Sequence, residues 1–327
     1  MTTEHWAIGV DVGGTKVAAG FVDTHGEILQ HTRVPMNSRG TAEEGFAAVA
    51  GAIDELLKLA PDASNALRHI GICAPGPLDP HTGVVLNPPN VTCWRNYPLA
   101  AEVARRYGRT VKLENDAKSA ALAEALWGAG RGHRNVFYTS IGTGIGAGIL
   151  FDGRIYHGRT GAADEAGHMV IDYHGPVCGC GKKGCIEALA SGTSIAKKAR
   201  VRLTEAPGFE SLMLELTGGK VDAVTSEIVG RAYEAGDSLA KEILLGTVEL
   251  VTIWLGNIVD LLEPDVIIIG GGVAALLNPF FGEIRKGLPA WCMNKRCVEI
   301  PIVPARYGAE SGIAGGAALC MFPGVAE

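Results

Sequence analysis

Two separate stretches of the chain show the same order of short apolar segments and polar, glycine-rich positions, and each predicts strands joined by a glycine turn. The first stretch predicts strands at residues 5–10, 17–22 and 27–33, with the turn at 11–16. The second predicts strands at 135–141 and 147–151, with the turn at 142–146. We therefore predict a duplicated α/β unit, in which each half begins with strand, glycine hairpin and strand.

The remaining apolar periodicity predicts helices that alternate with buried strands. One helix shows this most clearly, because Thr41 is a suitable cap and one face carries Phe46, Val49, Ile53, Leu56 and Leu57. The predicted helices are 41–59, 98–107, 117–127, 193–203, 221–235, 237–262, 279–286 and one from about 310. The further predicted strands are 69–73, 110–113, 265–269 and 298–303.

The length and the order of these elements predict two domains. We predict a small N-terminal α/β domain over residues 1–116, completed by a C-terminal helix at 310–327. A large α/β domain over residues 117–309 would carry a cysteine-rich loop. A cleft would separate the domains, with a hinge near residues 115–118.

Composition limits the partners and the compartment. The net charge of −6 provides no basic surface for nucleic acid or an anionic membrane. Residues 1–5 show no signal-peptide pattern, and the longest apolar run, around residues 266–277, is too short to span a bilayer. The eight cysteines do not form the pattern of a disulfide framework. We therefore expect a soluble protein of the reducing cytoplasm.

One short segment has the composition of a metal site. Cys178, Cys180 and Cys185 follow His168, and three thiolates with one imidazole can surround a tetrahedral Zn²⁺. Four protein ligands leave no open position, so such a zinc ion would be structural and not the Lewis acid of a reaction. His174 lies in the same loop and could compete with His168. The alternative is three reduced thiols without a metal.

Both glycine turns combine glycine with a hydroxyl group, and their residues are Gly13, Gly14 and Thr15, then Gly142, Thr143 and Gly144. Consecutive N–H groups at such turns form a nest for phosphate oxygens. Asp11 is a natural anchor for Mg²⁺ through water, and Lys16 would add a cation. For either turn alone, a tight β-turn with no ligand is the alternative. Two equivalent turns and a third glycine run, at 270–272, favour a nucleotide.

Two common nucleotide motifs do not fit this sequence. The chain has no G-x4-G-K-[ST] phosphate loop. The spacing Gly142-x-Gly144-x-x-Ala147 is similar to a dinucleotide fingerprint, but a predicted strand follows it where the fingerprint requires a helix. A nicotinamide-dependent enzyme is therefore disfavoured.

Five motifs occur in the order of one known family: Asp11-Val-Gly-Gly-Thr-Lys16, Glu114-Asn-Asp116, Ile141-Gly-Thr-Gly-Ile-Gly146, Glu165-x-Gly-His168 and Cys178-x-Cys180-Gly-x-x-Gly-Cys185-x-Glu187. In these motifs the chain resembles the ROK family of bacterial sugar kinases and related repressors, from residue 6 to residue 318. The resemblance implies a two-domain α/β architecture of the actin-like ATPase (hexokinase/ribonuclease H-like) fold, with a cleft between the domains. It is greatest to zinc-containing glucokinases, which implies phosphorylation of glucose by ATP with Mg²⁺ and a structural zinc ion.

The resemblance also implies roles for individual residues. Asp116 would be the general base, and Asn115 would bind a neighbouring hydroxyl group. On the sequence pattern alone, Asp116 would be interpreted as a helix cap. Glu165, His168 and Glu187 would bind sugar hydroxyls, with the second ring nitrogen of His168 on zinc. For the two glutamates, solvated surface charges are the alternative.

Further positions follow from the same resemblance, which selects His168 over His174 as the zinc ligand. Gly76 and Asn90 resemble sugar-contacting positions of the family. The alternative is that both belong to proline-rich loops without a role in binding. Gly271 and Gly272 would approach the adenosine or its phosphates. Two residues beside the expected sugar site depart from the family pattern: Asp164 replaces a small residue, usually Gly, and Lys118 replaces a frequent Asn. They leave the preferred hexose open.

Several other functions remain open at this stage. Kinases for N-acetylglucosamine, N-acetylmannosamine or fructose share the same set of hydroxyl-binding residues. A sugar-responsive repressor would carry an N-terminal helix-turn-helix, whereas the first strand here begins by residue 6. A non-catalytic actin-like ATPase would not explain the cysteine segment. Polyphosphate is a further possible donor, but the glycine run at 270–272 favours a nucleotide. The expected partners are a hexose and ATP, and the expected assembly is a homodimer or homotetramer.

Overall fold

The computed structural model describes residues 6–59, 69–205 and 210–322. The predictions for residues 1–5 and for the end of the C-terminal helix, 323–327, lie outside the described residues. Within the described part, the chain divides into two compact units. The first is drawn from Met1–Tyr138, Gly148–Asp164 and Ala305–Glu327, and the second from Thr139–Ala147 and Glu165–Pro304.

Twelve strands lie within the described residues: β1 Ala7–Val12, β2 Lys16–Val22, β3 Ile28–Pro35, β4 His69–Ala74, β5 Leu78–Asp79, β6 Val84–Val85, β7 Thr110–Asn115, β8 Val136–Ile141, β9 Ile145–Phe151, β10 Arg154–Ile155, β11 Val266–Gly270 and β12 Ile302–Pro304. They form two five-stranded sheets, ordered β3-β2-β1-β4-β7 and β10-β9-β8-β11-β12, and a β5-β6 hairpin. In chain order, both large sheets arrange their strands as third, second, first, fourth and fifth. The predicted duplication of an α/β unit is therefore confirmed.

Eleven α-helices lie within the described residues: α1 Ala42–Leu59, α2 Leu99–Tyr107, α3 Asp116–Trp127, α4 Ile186–Ala190, α5 Gly192–Glu205, α6 Leu212–Leu216, α7 Ser226–Glu234, α8 Ser238–Leu262, α9 Ala274–Leu277, α10 Phe281–Gly287 and α11 Ser311–Met321. Most agree with the predicted helices to within a few residues. The short helices α4, α6 and α9 were not among the predictions, because four or five residues are too few for a clear apolar period.

Two predicted elements are wrong in part. The predicted helix at 221–235 is a 3-10 turn, Val221–Ala223, followed by α7. The break arises because the Thr225 side chain accepts the N–H of Ile228 and starts a new helix. The predicted strand at 298–303 is a 3-10 turn, Lys295–Glu299, and then the short strand β12, since the Asn294 side chain starts the turn by accepting the N–H of Arg296.

In the first unit, helices cover both faces of the first sheet. On one face, α1 contributes Val49, Ile53 and Leu56 to a core that also includes Ile8, Phe21, Ile70, Ile72 and Trp94. On the other face, Ile313 and Ala317 of α11 pack on β1 and β2. The approach of α11 is so close that a Cβ at Gly9 would lie 1.8 Å from the carbonyl oxygen of Ile313, and one at Gly71 would lie 1.7 Å from that of Gly316. These two positions exclude any side chain.

Helix α3 follows β7 of the first sheet directly and begins at Asp116, the predicted base. It packs against α11, and a Cβ at Gly315 would lie 2.7 Å from Ser119. For this reason α3 falls in the first compact unit, whereas the sequence analysis places residues 117–127 at the start of the second domain.

The second unit is built around α8, the longest helix of the described chain. Asp237 caps it, since its carboxylate accepts the N–H of Ala240 at 2.8 Å and the hydroxyl of Ser211 at 2.7 Å. Among the described residues, α8 alone is long and apolar enough to cross a membrane, and it is longer than the apolar run at 266–277. Most of its apolar window is buried inside the protein, as in the core helix of a folded domain.

Candidate functional site

The four predicted zinc ligands lie together in the second unit. The ligand atoms of His168, Cys178, Cys180 and Cys185 are all within 4.8 Å of one another. The Cys178 sulfur is 3.6 Å from Nδ1 of His168, and the sulfurs of Cys180 and Cys185 are 3.7 Å apart. Two sulfurs of a tetrahedral site with Zn–S bonds of about 2.3 Å are about 3.7 Å apart, so this donor set fits Zn²⁺. In the described part of the chain, His174 lies outside the cluster, against the ring of Tyr173.

Backbone hydrogen bonds fold the cysteine loop around the cluster. The N–H of Cys178 donates to the carbonyl of Lys182 at 2.8 Å, and the N–H of Gly181 donates back to Cys178 at 2.9 Å. His168 ends a 3-10 turn, Ala166–His168, and the buried Trp254 of α8 donates its indole N–H to Ala166 at 3.1 Å. The 3-10 turn that carries His168 is therefore anchored to the core of the second unit. The sequence analysis did not find the role of Trp254, since nothing in the pattern links it to the loop.

Glu187 connects the metal cluster to the second glycine turn. Its Oε2 accepts the N–H of Ile145 at 2.9 Å, and its Oε1 lies 3.9 Å from Nδ1 of His168. A Cβ at Gly144 would lie 2.5 Å from Oε2, so a larger residue there would displace the carboxylate from this position. Glu187 is thus not a free surface charge. Glu165 is different, because its side chain is 70% exposed, with one oxygen 4.0 Å from Nε2 of His168.

Asn115 and Asp116 mark the junction of β7 and α3 in the first unit. The helix cap is Asn115, whose Oδ1 accepts the N–H groups of Ala117 at 3.0 Å and Lys118 at 3.3 Å. The alternative interpretation of Asp116 as the capping residue is therefore wrong. Asp116 is the first helical residue, and its Oδ1 accepts the N–H of Ala117 at 2.8 Å. Its carboxylate is not needed to cap the helix.

The Asp116 carboxylate has the acidity of a general base. The side chain is open to solvent but closely surrounded by protein, and this desolvation raises its pKa to about 6. The negative charge of Asp11 raises the pKa further. At neutral pH the group is ionised and still more basic than an ordinary aspartate, which suits it to accept a proton.

Other predicted residues of the first unit lie near Asp116 or near the first glycine turn. A Cβ at Gly76 would lie 3.5 Å from Nδ2 of Asn115, and one at Gly14 would lie 3.1 Å from the carbonyl oxygen of Asn90. The turn itself is closed by the N–H of Gly13, which donates to Lys16 at 2.9 Å. Burial raises the pKa of Asp11, against the charge of Lys16.

The second unit contains a cavity of about 620 Å³ beside the second glycine turn. Three predicted nucleotide residues line it: Gly142, Thr143 and Gly272. Gly144 instead faces Glu187, and Gly271 makes the turn after β11, with a φ of 87°. Hydrogen bonds join the walls, since Thr193 donates its hydroxyl to Thr143 at 2.8 Å.

The cavity also has wall residues that the sequence analysis did not find. They are Gly192, Thr193, Ala196 and Arg200 of α5, Thr225, Ser226 and Glu227 at the start of α7, and Val273, Ala275 and Leu276 after β11. Arg200 is fixed there because its Nε donates to the carbonyl of Val224 at 2.9 Å. For the wall at the start of α7, the sequence did contain a signal, because Thr225 is a typical N-cap residue.

The duplicated sheets, the paired glycine turns and the cavity define a protein of the actin-like ATPase fold. The chain belongs to the ROK family, whose sequence model matches residues 7–321.

Individual sugar kinases are similar to this chain over nearly its whole length. The glucokinase of Thermotoga maritima is 34% identical over 95% of this chain and 96% of its own length. An N-acetyl-D-glucosamine kinase of Pasteurella multocida is 29% identical over 96% of this chain and 98% of its own. The crystal structure of a ROK family glucokinase from Streptomyces griseus, in complex with glucose and AMPPNP, superposes with a TM-score of 0.82 at 34% identity. That alignment covers 96% of this chain and 98% of the other.

Proposed function

We propose that this protein is an ATP-dependent hexose kinase that converts glucose to glucose 6-phosphate. The observation that carries the proposal is the Asp116 carboxylate at the start of α3, open to solvent and with a pKa of about 6. The similarity to glucokinases, one of them bound to glucose and AMPPNP, supports both the reaction and the substrate.

In the proposed reaction, Asp116 accepts the proton of the glucose 6-hydroxyl while the oxygen attacks the γ-phosphorus of ATP. A new P–O bond forms, the bond from the γ-phosphorus to the bridging oxygen breaks, and ADP leaves. An alcohol is a far weaker acid than the Asp116 carboxyl group, so the proton moves only as the new bond forms. The enzyme therefore depends on accurate positioning of the hydroxyl.

The other first-unit residues are suited to hold the sugar. Because Oδ1 of Asn115 is used in the helix cap, its Nδ2 is the group that would donate to a sugar hydroxyl. Gly76 leaves the space beside this Nδ2 open. Asn90, next to Gly14, would bind a further hydroxyl.

In the second unit, Glu165, His168 and Glu187 would bind hydroxyl groups. The exposed carboxylate of Glu165 can accept from two hydroxyls, and such charge-assisted hydrogen bonds are strong. Nδ1 of His168 faces the thiol of Cys178, which leaves Nε2, on the side of Glu165, for the sugar.

The nucleotide is assigned to the cavity and the glycine turns. The cavity has the size and the mixed lining of a site for adenosine, and the turns supply N–H groups for phosphate oxygens. Asp11 and Lys16 are suited to the phosphate end, where Asp11 would hold Mg²⁺ through water. Bound Mg²⁺ would neutralise charge on the phosphates. A polyphosphate donor would leave the cavity without a purpose.

Replacement of Arg200 tests the nucleotide assignment. We expect Arg200→Met to raise the KM for ATP about tenfold and to leave the KM for glucose within about twofold, because a cation that lines the cavity is lost. Initial rates at varied ATP measure this. The matched control is Lys197→Met, an exposed cation of the same helix that does not line the cavity. Equal KM values for ATP in both variants would contradict the assignment.

Replacement of one thiol tests the zinc assignment. We expect Cys180→Ser to lower the bound zinc from about one ion per chain to a small fraction and to raise the KM for glucose at least about tenfold, since the loop with His168 and Glu187 loses its anchor. The KM for ATP should stay near its native value. Metal analysis and initial rates give both quantities. The matched control is Cys93→Ser, since Cys93 lies outside the cluster. Native protein that contains no zinc would refute the structural metal.

A hexose panel tests the function itself. We expect ADP formation that depends on glucose, with a higher kcat/KM than for N-acetylglucosamine, N-acetylmannosamine, mannose or fructose. N-acetylglucosamine is the second candidate, because kinases for this sugar are also similar over nearly the whole chain. A panel with no sugar-dependent turnover would reject the kinase proposal.

The proposal includes a cytoplasmic location and a homo-oligomeric state. None of the eight cysteines, all of which lie among the described residues, forms a disulfide in the structure, and this fits a reducing compartment. A homodimer or homotetramer is part of the same proposal, and light scattering on the purified protein would distinguish both from a monomer.

A further inference from the structure

Four ionisable side chains, two of them buried and two half-buried, form a cluster in the first unit, next to Asn115. Lys118 and Glu114 are each only 3% exposed. Oε2 of Glu114 lies 2.5 Å from Nε2 of His157, and its Oε1 accepts the N–H of Asn115 at 2.8 Å. Asp164 is the fourth member, and it interacts electrostatically with the other three. The cluster therefore contacts the Asn115–Asp116 dipeptide directly.

Asp164 has an unfavourable position in two respects. Its φ is 74°, in the left-handed region that favours glycine, and its Oδ1 is buried without a hydrogen-bond partner among the described residues. Only Oδ2 is satisfied, by the N–H of Ile149 at 3.1 Å. Desolvation raises the pKa of this carboxyl group to about 7, while the charge of Lys118 opposes the rise. The N–H of Ile149 and the charge of Lys118 thus both favour the ionised form of Asp164.

Lys118 joins two parts of the first unit. It lies in the first turn of α3, and its ammonium group donates to the carbonyl of Gly161 at 2.6 Å. Gly161 belongs to the segment 157–164, which begins with the partner of Glu114 and continues into Glu165. Both departures from the family pattern, at 118 and 164, therefore lie in one cluster, and they carry opposite charges.

We propose that Lys118 and Asp164 are a coupled pair of positioning residues for hexose binding. Together they fix the first turn of α3, which presents Asn115 and Asp116, against the segment 157–164 of the same unit. The inference rests on the proposed function, because the residues that it positions are the proposed sugar ligands. Neither Lys118 nor Asp164 needs to contact the sugar.

A double-mutant cycle tests the pair, with Lys118→Met and Asp164→Asn as substitutions of similar size. Loss of Lys118 alone leaves the Asp164 carboxylate without a nearby lysine cation. Loss of both charges removes this unbalanced negative charge. At a pH high enough to ionise Asp164, we expect Lys118→Met to raise the KM for glucose about tenfold and Asp164→Asn about twofold. The double variant should return to within about threefold of the native value. The KM for ATP should stay within about twofold throughout.

The pH dependence gives a readout that a merely structural role would not produce. In Lys118→Met, the remaining charged groups that face Asp164 are Glu114 and His157, so the pKa of Asp164 rises above about 7. At low pH Asp164 is then neutral and does not disturb the site. At high pH it is ionised, and no lysine balances its negative charge. The KM for glucose of this variant should therefore increase with pH, while that of the double variant should follow the native profile.

The matched control is the pair Arg134–Asp152, which also combines a cation with an aspartate of positive φ but is 77% and 70% exposed. Arg134→Met and Asp152→Asn should leave the KM for glucose within about twofold, singly and together. Additive effects in the Lys118–Asp164 cycle, or parallel rises in the KM for glucose and ATP, would overturn the inference. If Lys118→Met does not fold, a double variant that folds and binds glucose still demonstrates the coupling, and one that does not bind refutes it. A native protein without hexose-dependent turnover would instead reject the proposed function.

Discussion

Replacement of Asp116 with Asn should lower the kcat for glucose phosphorylation about 10³-fold, while glucose still binds with a Kd within about threefold of the native value. The amide has the shape of the carboxylate and can still accept the N–H of Ala117, so α3 should be preserved. It cannot accept the proton of the attacking hydroxyl. Initial rates of ADP formation give kcat, and titration calorimetry with glucose gives the Kd.

Asp222→Asn is the matched control, since Asp222 is an exposed aspartate of a 3-10 turn outside the candidate site. It should retain the native kcat. If Asp116→Asn retained more than about a tenth of the native turnover, Asp116 could not be the base, and the binding result would show whether it holds the sugar instead.

The acidity of Asp116 also fixes the acid limb of the pH profile. A pKa raised to about 6 means that the base is ionised above pH 6 and protonated below it. The kcat/KM for glucose should therefore fall about tenfold for each unit of pH below 6 and level off above it. A limb near pH 4, where an ordinary aspartate titrates, would mean that the desolvated site does not control the reaction.

The sequence predicts those parts of the structure that depend on local patterns. Strands β1, β2 and β8 follow from short apolar runs, and helix α1 follows from apolar periodicity. The candidate metal cluster follows from the spacing of three cysteines, whereas the family resemblance selected His168 over His174. The local pattern alone would place the cap before α3 on Asp116, because Asn115 and Asp116 are equally good capping residues. Only the side-chain contacts show that Asn115 is used for the cap and that Asp116 is available.

Long-range contacts were beyond prediction from one sequence. Lys118 and Asp164 each departed from the family pattern, but their charges belong to one cluster only because Gly161 and Ile149 bring the segments together. In the same way, Arg200 becomes part of the cavity wall because α5 and α7 begin on either side of it. Local patterns are short in sequence, whereas such contacts depend on how the whole unit folds.

Glu124 shows how the far end of α3 is held. This residue of α3 is completely buried. Its Oε1 accepts the N–H groups of Arg306 at 2.7 Å and Tyr307 at 3.1 Å, and its Oε2 accepts that of Ala129 at 2.9 Å. The carboxylate therefore satisfies three backbone donors at the point where the chain passes from β12 towards α11.

We expect Glu124→Ala to lower the free energy of unfolding by about 4 kcal/mol, because three N–H groups lose their acceptor and a small cavity remains. Glu124→Gln should lower it by about 2 kcal/mol, since one oxygen remains while the new NH₂ group faces the N–H of Ala129. Urea unfolding measures both values. Glu102→Ala, which removes an exposed ion pair with Arg105, should stay within about 0.5 kcal/mol of the native protein. If Glu124→Ala were equally mild, the connection before α11 would be held by the packing of the helix on the sheet, and the three hydrogen bonds would contribute little.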